Sequence, residues 1–222
     1  MAIYDCPRSW VAARKSPIRN RKFPMNLPNK LTVSRFGLTI LFLWAVFSKF
    51  KYNDTLALFF FCLAGVTDIL DGRIARARGL ITNFGILMDP LADKIMTCSA
   101  FIAFVESSHI NRAAPVKVGA WLVVLIVARE LAITGLRLLA ASKNIVLAAE
   151  RFGKHKTISQ IVTLIALLVV DASEEWPAAL KQFFAPWTPT FARLMLWVTV
   201  VLTAISGGIY LWRNRKLYLE DM

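Results

Sequence analysis

Acidic residues are scarce in this chain, with 14 Asp and Glu among 222 residues against 27 Lys and Arg and a formal charge of +13. Cysteine is scarcer still: Cys6, Cys62 and Cys98 show no CxxC or metal-type spacing, and the latter two stand in apolar stretches. They read as packing residues, which argues against a redox motif or a zinc centre. The two histidines are His109 and His155, the second between two lysines, and both are read as surface groups. No run of interleaved basic and aromatic residues tracks a nucleic acid, so no nucleic-acid partner is expected. Residues 1–26 hold six basic residues and three prolines, without an apolar core long enough for a secretory signal. No internal repeat or low-complexity tract stands out.

Apolar side chains, by contrast, are abundant. They make up 57% of the chain and its mean hydropathy is +0.54, which point to a polytopic membrane protein. The excess positive charge sits at the ends of apolar segments, as expected for cytoplasmic loops facing an anionic lipid surface or substrate.

The hydropathy pattern predicts an all-α integral membrane fold with six transmembrane helices. The spans are expected from about Leu31 to Ser48, from Thr55 into the segment after Leu70, from Phe84 to Val105, from Val116 to Ala141, from Thr157 to Val170, and from Phe191 to Trp212. Arg35 and Lys49 are expected to snorkel to the two interfaces of the first span. Placing Lys49, Lys51, Arg112, Lys117, Lys181 and Arg193 at outer ends leaves most of the 27 basic residues inside, so both termini are predicted to be cytoplasmic. The organisation is then a basic cytoplasmic tail (1–26), a six-helix membrane domain (27–216) and a short cytoplasmic tail (217–222). Trp176 and Trp187 in the outer segment 171–190 suit an interfacial belt.

Within this apolar frame, residues 68–93 concentrate four of the 14 acids: Asp68, Asp71, Asp89 and Asp93. Carboxylates at membrane depth are costly unless paired, metal-bound or wet, so they mark a functional site. Asp68 and Asp71 are three apart and Asp89 and Asp93 four apart, so each pair shares one face of its helix. A turn of about ten residues between the pairs makes the two helices antiparallel neighbours, and four carboxylates can converge. Their mutual repulsion calls for cations, and an all-oxygen set suits Mg²⁺ or Mn²⁺. Gly72 permits close approach to the backbone, and Arg76, just over one turn beyond Asp71, is placed to hold a phosphate. Pro90 is expected to kink the third span.

These residues match D-x2-D-G-x2-A-R-x8-G-x3-D-x3-D without deviation, eight fixed positions over 26 residues. The pattern resembles the signature of the CDP-alcohol phosphotransferases. The resemblance implies a six-helix membrane enzyme, usually a homodimer, that cleaves a CDP-linked lipid and passes the phosphatidyl group to an alcohol, releasing CMP. It also implies two Mg²⁺ or Mn²⁺ ions held by Asp68, Asp71, Asp89 and Asp93, with Asp93 as general base. Gly72, Arg76, Thr82, Asn29 and Thr32 are implied contacts of the CDP-lipid.

In the next span, VARELAITGLRLLAA carries Arg129 and Arg137, eight apart and roughly 80° around the helix. GKHKTISQ then adds Lys154 and Lys156. Four cations beside the acids argue for an acceptor that carries its own phosphate. The segments NLPNKLTVSR, RELAITGLR and GKHKTISQ resemble the branch of the family that uses CDP-diacylglycerol and glycerol 3-phosphate, whereas the last span adds little to the match. An inositol phosphate or serine acceptor is the main competitor. The predicted topology turns the site toward the cytoplasm, and the resemblance implies a bacterial plasma membrane. Of the more distant readings, a membrane prenyltransferase would need a longer chain and a second aspartate-rich motif. An ion-path transport or assembly subunit would leave Arg76 at its fixed spacing unexplained.

Overall fold

The structure is a computed structural model that describes residues 27–78, 83–110, 115–142 and 152–215, with the backbone course alone for 27–32, 70–78, 83–90, 93, 108–110, 141–142 and 152–154. Among the described residues the chain is all helical: α1 (Leu27–Phe47), α2 (Asn53–Arg78), α3 (Asn83–Ile110), α4 (Ala120–Ser142), α5 (Phe152–Ser173), a short α6 (Ala178–Phe184) and α7 (Thr188–Arg213). The long helices have 21 to 28 residues, so each extends for about 30 Å or more. Two of them carry an apolar stretch long enough to cross a membrane: His155–Ser173 at a mean hydropathy of 1.5 and Thr188–Arg213 at 2.0.

The core has an inside-out character. Its buried residues include many small ones, among them Ala45, Ala57, Ala64, Ala100 and Ala192, which let helix backbones approach. Large apolar side chains such as Ile40, Trp44, Phe59, Trp121, Val124, Leu131 and Trp212 point outward. An apolar exterior of this extent fits hydrocarbon better than water. Helix α1 packs along α2 and touches α3, α5 packs along α7, and α2 and α4 close the bundle against α5 and α7 respectively. Between α5 and α7 the Thr163 hydroxyl lies 2.9 Å from the Met195 carbonyl and 2.8 Å from the Thr199 hydroxyl, a polar contact inside an apolar seam.

Several boundaries differ from the sequence expectation. Helix α3 continues through Ile110 instead of stopping at Val105, and runs through Pro90 without a break. The segment 171–190 is not all loop, because α6 forms within it after Pro177. Glu175, just before α6, caps α2: its carboxylate accepts the Asp54 and Thr55 amides at 2.9 Å each and the Thr55 hydroxyl at 2.6 Å. Trp176 donates its indole N–H to the same hydroxyl at 3.1 Å. Four orphan amides begin every helix, and here a side chain 120 residues away satisfies two of them. At this terminus the Asp54 carboxyl is pushed up to about 6, first by burial and then by the neighbouring Glu175.

The largest departure concerns Arg35. It does not snorkel to an interface: it is 2% exposed and its Nη2 donates to Asp68 Oδ1 at 2.8 Å. A guanidinium placed about two turns inside α1 is held better by a carboxylate across the helix pair than by water it cannot reach.

Candidate active site

Two polar centres interrupt the apolar core. The first lies at the end of the bundle where α2 carries its aspartates. Asp68, Asp71, Gly72 and Arg76 all belong to α2, and Asp89 and Asp93 to the first half of α3, with only residues 79–82 between the helices. Asn29 and Thr32 fall in the first turns of α1. Helix α1 packs against both helices that carry the signature, whereas α2 and α3 make little direct contact with each other among the described residues, so the expected antiparallel pairing of those two helices is not seen.

Among these residues the Asp68 side chain is described; it is half exposed and engaged by Arg35. Thr82, and the side chains of Asn29, Thr32, Asp71, Gly72, Arg76, Asp89, Asp93 and Lys154, lie outside the described residues. Consequently no group of three or more metal-ligating side chains comes together among the described residues. The donor chemistry nevertheless suits a hard divalent ion. Asp68 offers carboxylate oxygen with half its surface open, and Asp71 follows one helical turn on.

A cavity of about 290 Å³ lies beside Asp68 and Arg35. Phe61 of α2, Met96 of α3 and Ile161 and Ile165 of α5 give it an apolar wall. One end therefore carries charge, and the remainder suits hydrocarbon.

The second centre joins α3, α4, α5 and α7. Glu130, 7% exposed, receives Arg129 Nη1 on Oε1 at 3.2 Å and the Lys156 ammonium on the same oxygen. Arg129 also donates from Nη2 to Ser206 Oγ at 3.3 Å. Thr134 donates to the Glu130 carbonyl at 2.8 Å and accepts from Lys94, the residue after Asp93. Gly207 is what allows Arg129 this path, since a Cβ there would stand 2.8 Å from Arg129 Cγ. Arg137 takes another partner: its Nε reaches the Tyr210 hydroxyl at 3.4 Å and its guanidinium lies 5.8 Å from that ring's centroid.

Of the four cations proposed for an acceptor, Arg129 and Lys156 therefore converge on one carboxylate, while Arg137 sits about two turns further along α4 on Tyr210. Sequence reasoning missed Arg35, Lys94, Thr134, Ser206 and Tyr210. Charge inside an apolar helix was the available signal for the first two. For Ser206 and Tyr210 there was none, because small and aromatic residues are ordinary in α7. The last helix, which adds little to the family resemblance, supplies partners to both arginines.

Comparison with known proteins bears on this arrangement. The family model described as CDP-alcohol phosphatidyltransferase matches residues 25–206, from the start of α1 well into α7. A relative from Bacillus subtilis (strain 168), named CDP-diacylglycerol–glycerol-3-phosphate 3-phosphatidyltransferase, is 37% identical over 201 residues, covering 85% of this chain and 95% of the relative. A relative of the same name from Rickettsia felis is 28% identical over 193 residues, covering 87% and 97%. The match spans every residue of the aspartate signature and the second centre as far as Ser206, and the chain belongs to the CDP-alcohol phosphatidyltransferase family.

Proposed function

We propose that this chain transfers the phosphatidyl group of CDP-diacylglycerol to glycerol 3-phosphate, giving phosphatidylglycerophosphate and CMP. The observation that carries the reading is the complete aspartate signature on α2 and α3 in a chain that aligns along 95% of a relative named for this reaction. The cavity beside Asp68 supports it, because a CDP-lipid needs hydrocarbon space next to a charged headgroup site.

In this reading Asp68, Asp71, Asp89 and Asp93 would hold two Mg²⁺ or Mn²⁺ ions. When bound, the metal neutralises the diphosphate and the charge that develops on the departing CMP. Gly72, Arg76, Thr82, Asn29 and Thr32 orient the nucleotide and its diphosphate. Asp93 accepts the proton of the acceptor hydroxyl as that oxygen bonds to the phosphatidyl phosphorus; the bond from phosphorus to the CMP oxygen breaks, and CMP leaves with the electron pair. Arg129, Arg137, Lys154 and Lys156 receive the acceptor's phosphate. For Arg129 and Lys156 this means competing with Glu130.

The same reading sets α1 to α5 and α7 across a bacterial plasma membrane, with both termini and the site on the cytoplasmic side. Helix α6 has no buried residue and lies along the outer surface, with Phe183 and Trp187 at the interface. The assembly is a homodimer, as the family resemblance implies.

Purified protein supplied with Mg²⁺, CDP-diacylglycerol and an equimolar mixture of glycerol 3-phosphate, inositol phosphate and serine tests the reaction. Phosphatidylglycerophosphate is the expected lipid product, and a product carrying either competitor overturns the acceptor assignment. Asp93→Asn is expected to abolish transfer while CDP-lipid binding persists; full activity would remove Asp93 from its role.

A further inference from the structure

The buried stripe of α1 runs Arg35, Thr39, Phe42, Ala45, at helical spacing and all under 5% exposed. Three of these are small or apolar groups, or bond locally, the Thr39 hydroxyl donating to the Arg35 carbonyl at 2.9 Å. The fourth is a guanidinium. At a buried position an apolar side chain of similar volume usually packs at equal or lower cost than an ion pair. A cation kept there implies a use beyond packing. The place supports that: Arg35 ends the stripe where the core meets the signature aspartates, and together with Asp68 it lines the charged end of the apolar cavity. Its planar fork fixes a carboxylate more closely than an ammonium would. Asp68 is held on one oxygen at 2.8 Å and retains half its surface.

We propose that Arg35 is a positioning residue of the metal centre, reaching from α1 to set the orientation of the Asp68 carboxylate for a divalent cation. This rests on the assignment of Asp68 as a metal ligand. Arg35 touches no reacting atom in this role; it acts through Asp68, as outer partners of metal ligands commonly do. It also gives α1 a task at the centre, since the carboxylate on α2 takes its direction from a different helix.

The test is Mn²⁺ binding by the purified full chain, followed by the loss of the free-ion electron paramagnetic resonance signal, for wild type, Asp68→Asn, Arg35→Met and Arg35→Lys. A merely structural role would move the melting temperature but not the Mn²⁺ affinity of the folded fraction. Arg35→Met is expected to weaken Mn²⁺ binding about 10- to 100-fold, Arg35→Lys to recover part of that loss, and Asp68→Asn to weaken binding as well. Wild-type affinity in Arg35→Met alongside weak binding in Asp68→Asn overturns the role of Arg35 and leaves the metal site standing. Wild-type affinity in Asp68→Asn overturns both. Should Arg35→Met not fold, Arg35→Lys decides: weaker binding than wild type supports the role, and equal binding overturns it.

Discussion

Removing the Glu130 carboxylate isolates what the second polar centre contributes. Glu130 is 7% exposed and Lys156 3%, and a single oxygen, Oε1, receives both Lys156 and Arg129. Glu130→Ala therefore takes the shared carboxylate from two cations in an apolar surround, with Arg129 keeping its Ser206 contact. Loss of one partner from a buried pair costs about 3–5 kcal/mol. In a domain of this size ~1 kcal/mol shifts Tm by about 2–4 °C, so the expected fall is about 6–20 °C. Thermal unfolding of the purified protein in detergent reads it directly. The exposed pair Lys181–Glu174, with side chains 43% and 56% exposed, supplies the contrast: Lys181→Ala should cost under about 1 kcal/mol. Combining Glu130→Ala with Lys156→Met completes a cycle. If the two side chains act as one unit, Lys156→Met costs less in the Glu130→Ala background than alone, with a coupling of about 0.5–3 kcal/mol. A Tm for Glu130→Ala within about 2 °C of wild type, or strict additivity in the cycle, would refute the hub.

Three further outcomes are expected. Arg137→Ala should raise the KM for glycerol 3-phosphate about tenfold or more, the loss of a charge-assisted contact, with little change for CDP-diacylglycerol; a change confined to the CDP-lipid would misplace the acceptor site. Glu175→Ala should lower stability by about 1–2 kcal/mol, the worth of a helix cap, and Glu175→Gln by less because one acceptor oxygen remains; equal effects would dismiss the cap. The Asp54 carboxyl is raised from 3.8 to about 6, so the folded state holds its proton more tightly than the unfolded chain and the associated stability is complete below 3.8 and lost as pH rises through about 6. Asp54→Asn should accordingly raise Tm above pH 6 and leave it unchanged below pH 3.8, a difference visible in a pH series of melting curves.

Much of the architecture was legible because apolar length and charge placement act locally. The six long helices arise close to the expected spans, and the aspartate pairs fall on α2 and α3 because spacing along one helix is a property of that helix alone. Helix α6 was hidden for a related reason: its AALKQFF is too short and mixed to give a periodic signal, and Pro177 before it looks like a loop residue as readily as a helix start. The α3 terminus was misplaced because Glu106 and Ser107 look like breakers, yet neither is a Gly or Pro, and a helix can carry them past the apolar stretch.

What local pattern cannot encode is the partner across a helix pair. Arg35 has an apolar run on its C-terminal side and a basic tail on its N-terminal side, so one-dimensional reading sends it to the interface. Which way it goes depends on whether a carboxylate stands within reach on α2, and Asp68 does. Lys156 repeats the case: beside Lys154 it looks like a positive-inside anchor, but one turn of α5 carries it inward onto Glu130. Both cations, near the N-terminal ends of apolar helices, are thus drawn into the core by an acid on a neighbouring helix. That makes acids, the scarcest charged residues in the chain, the groups that decide where its abundant cations come to rest.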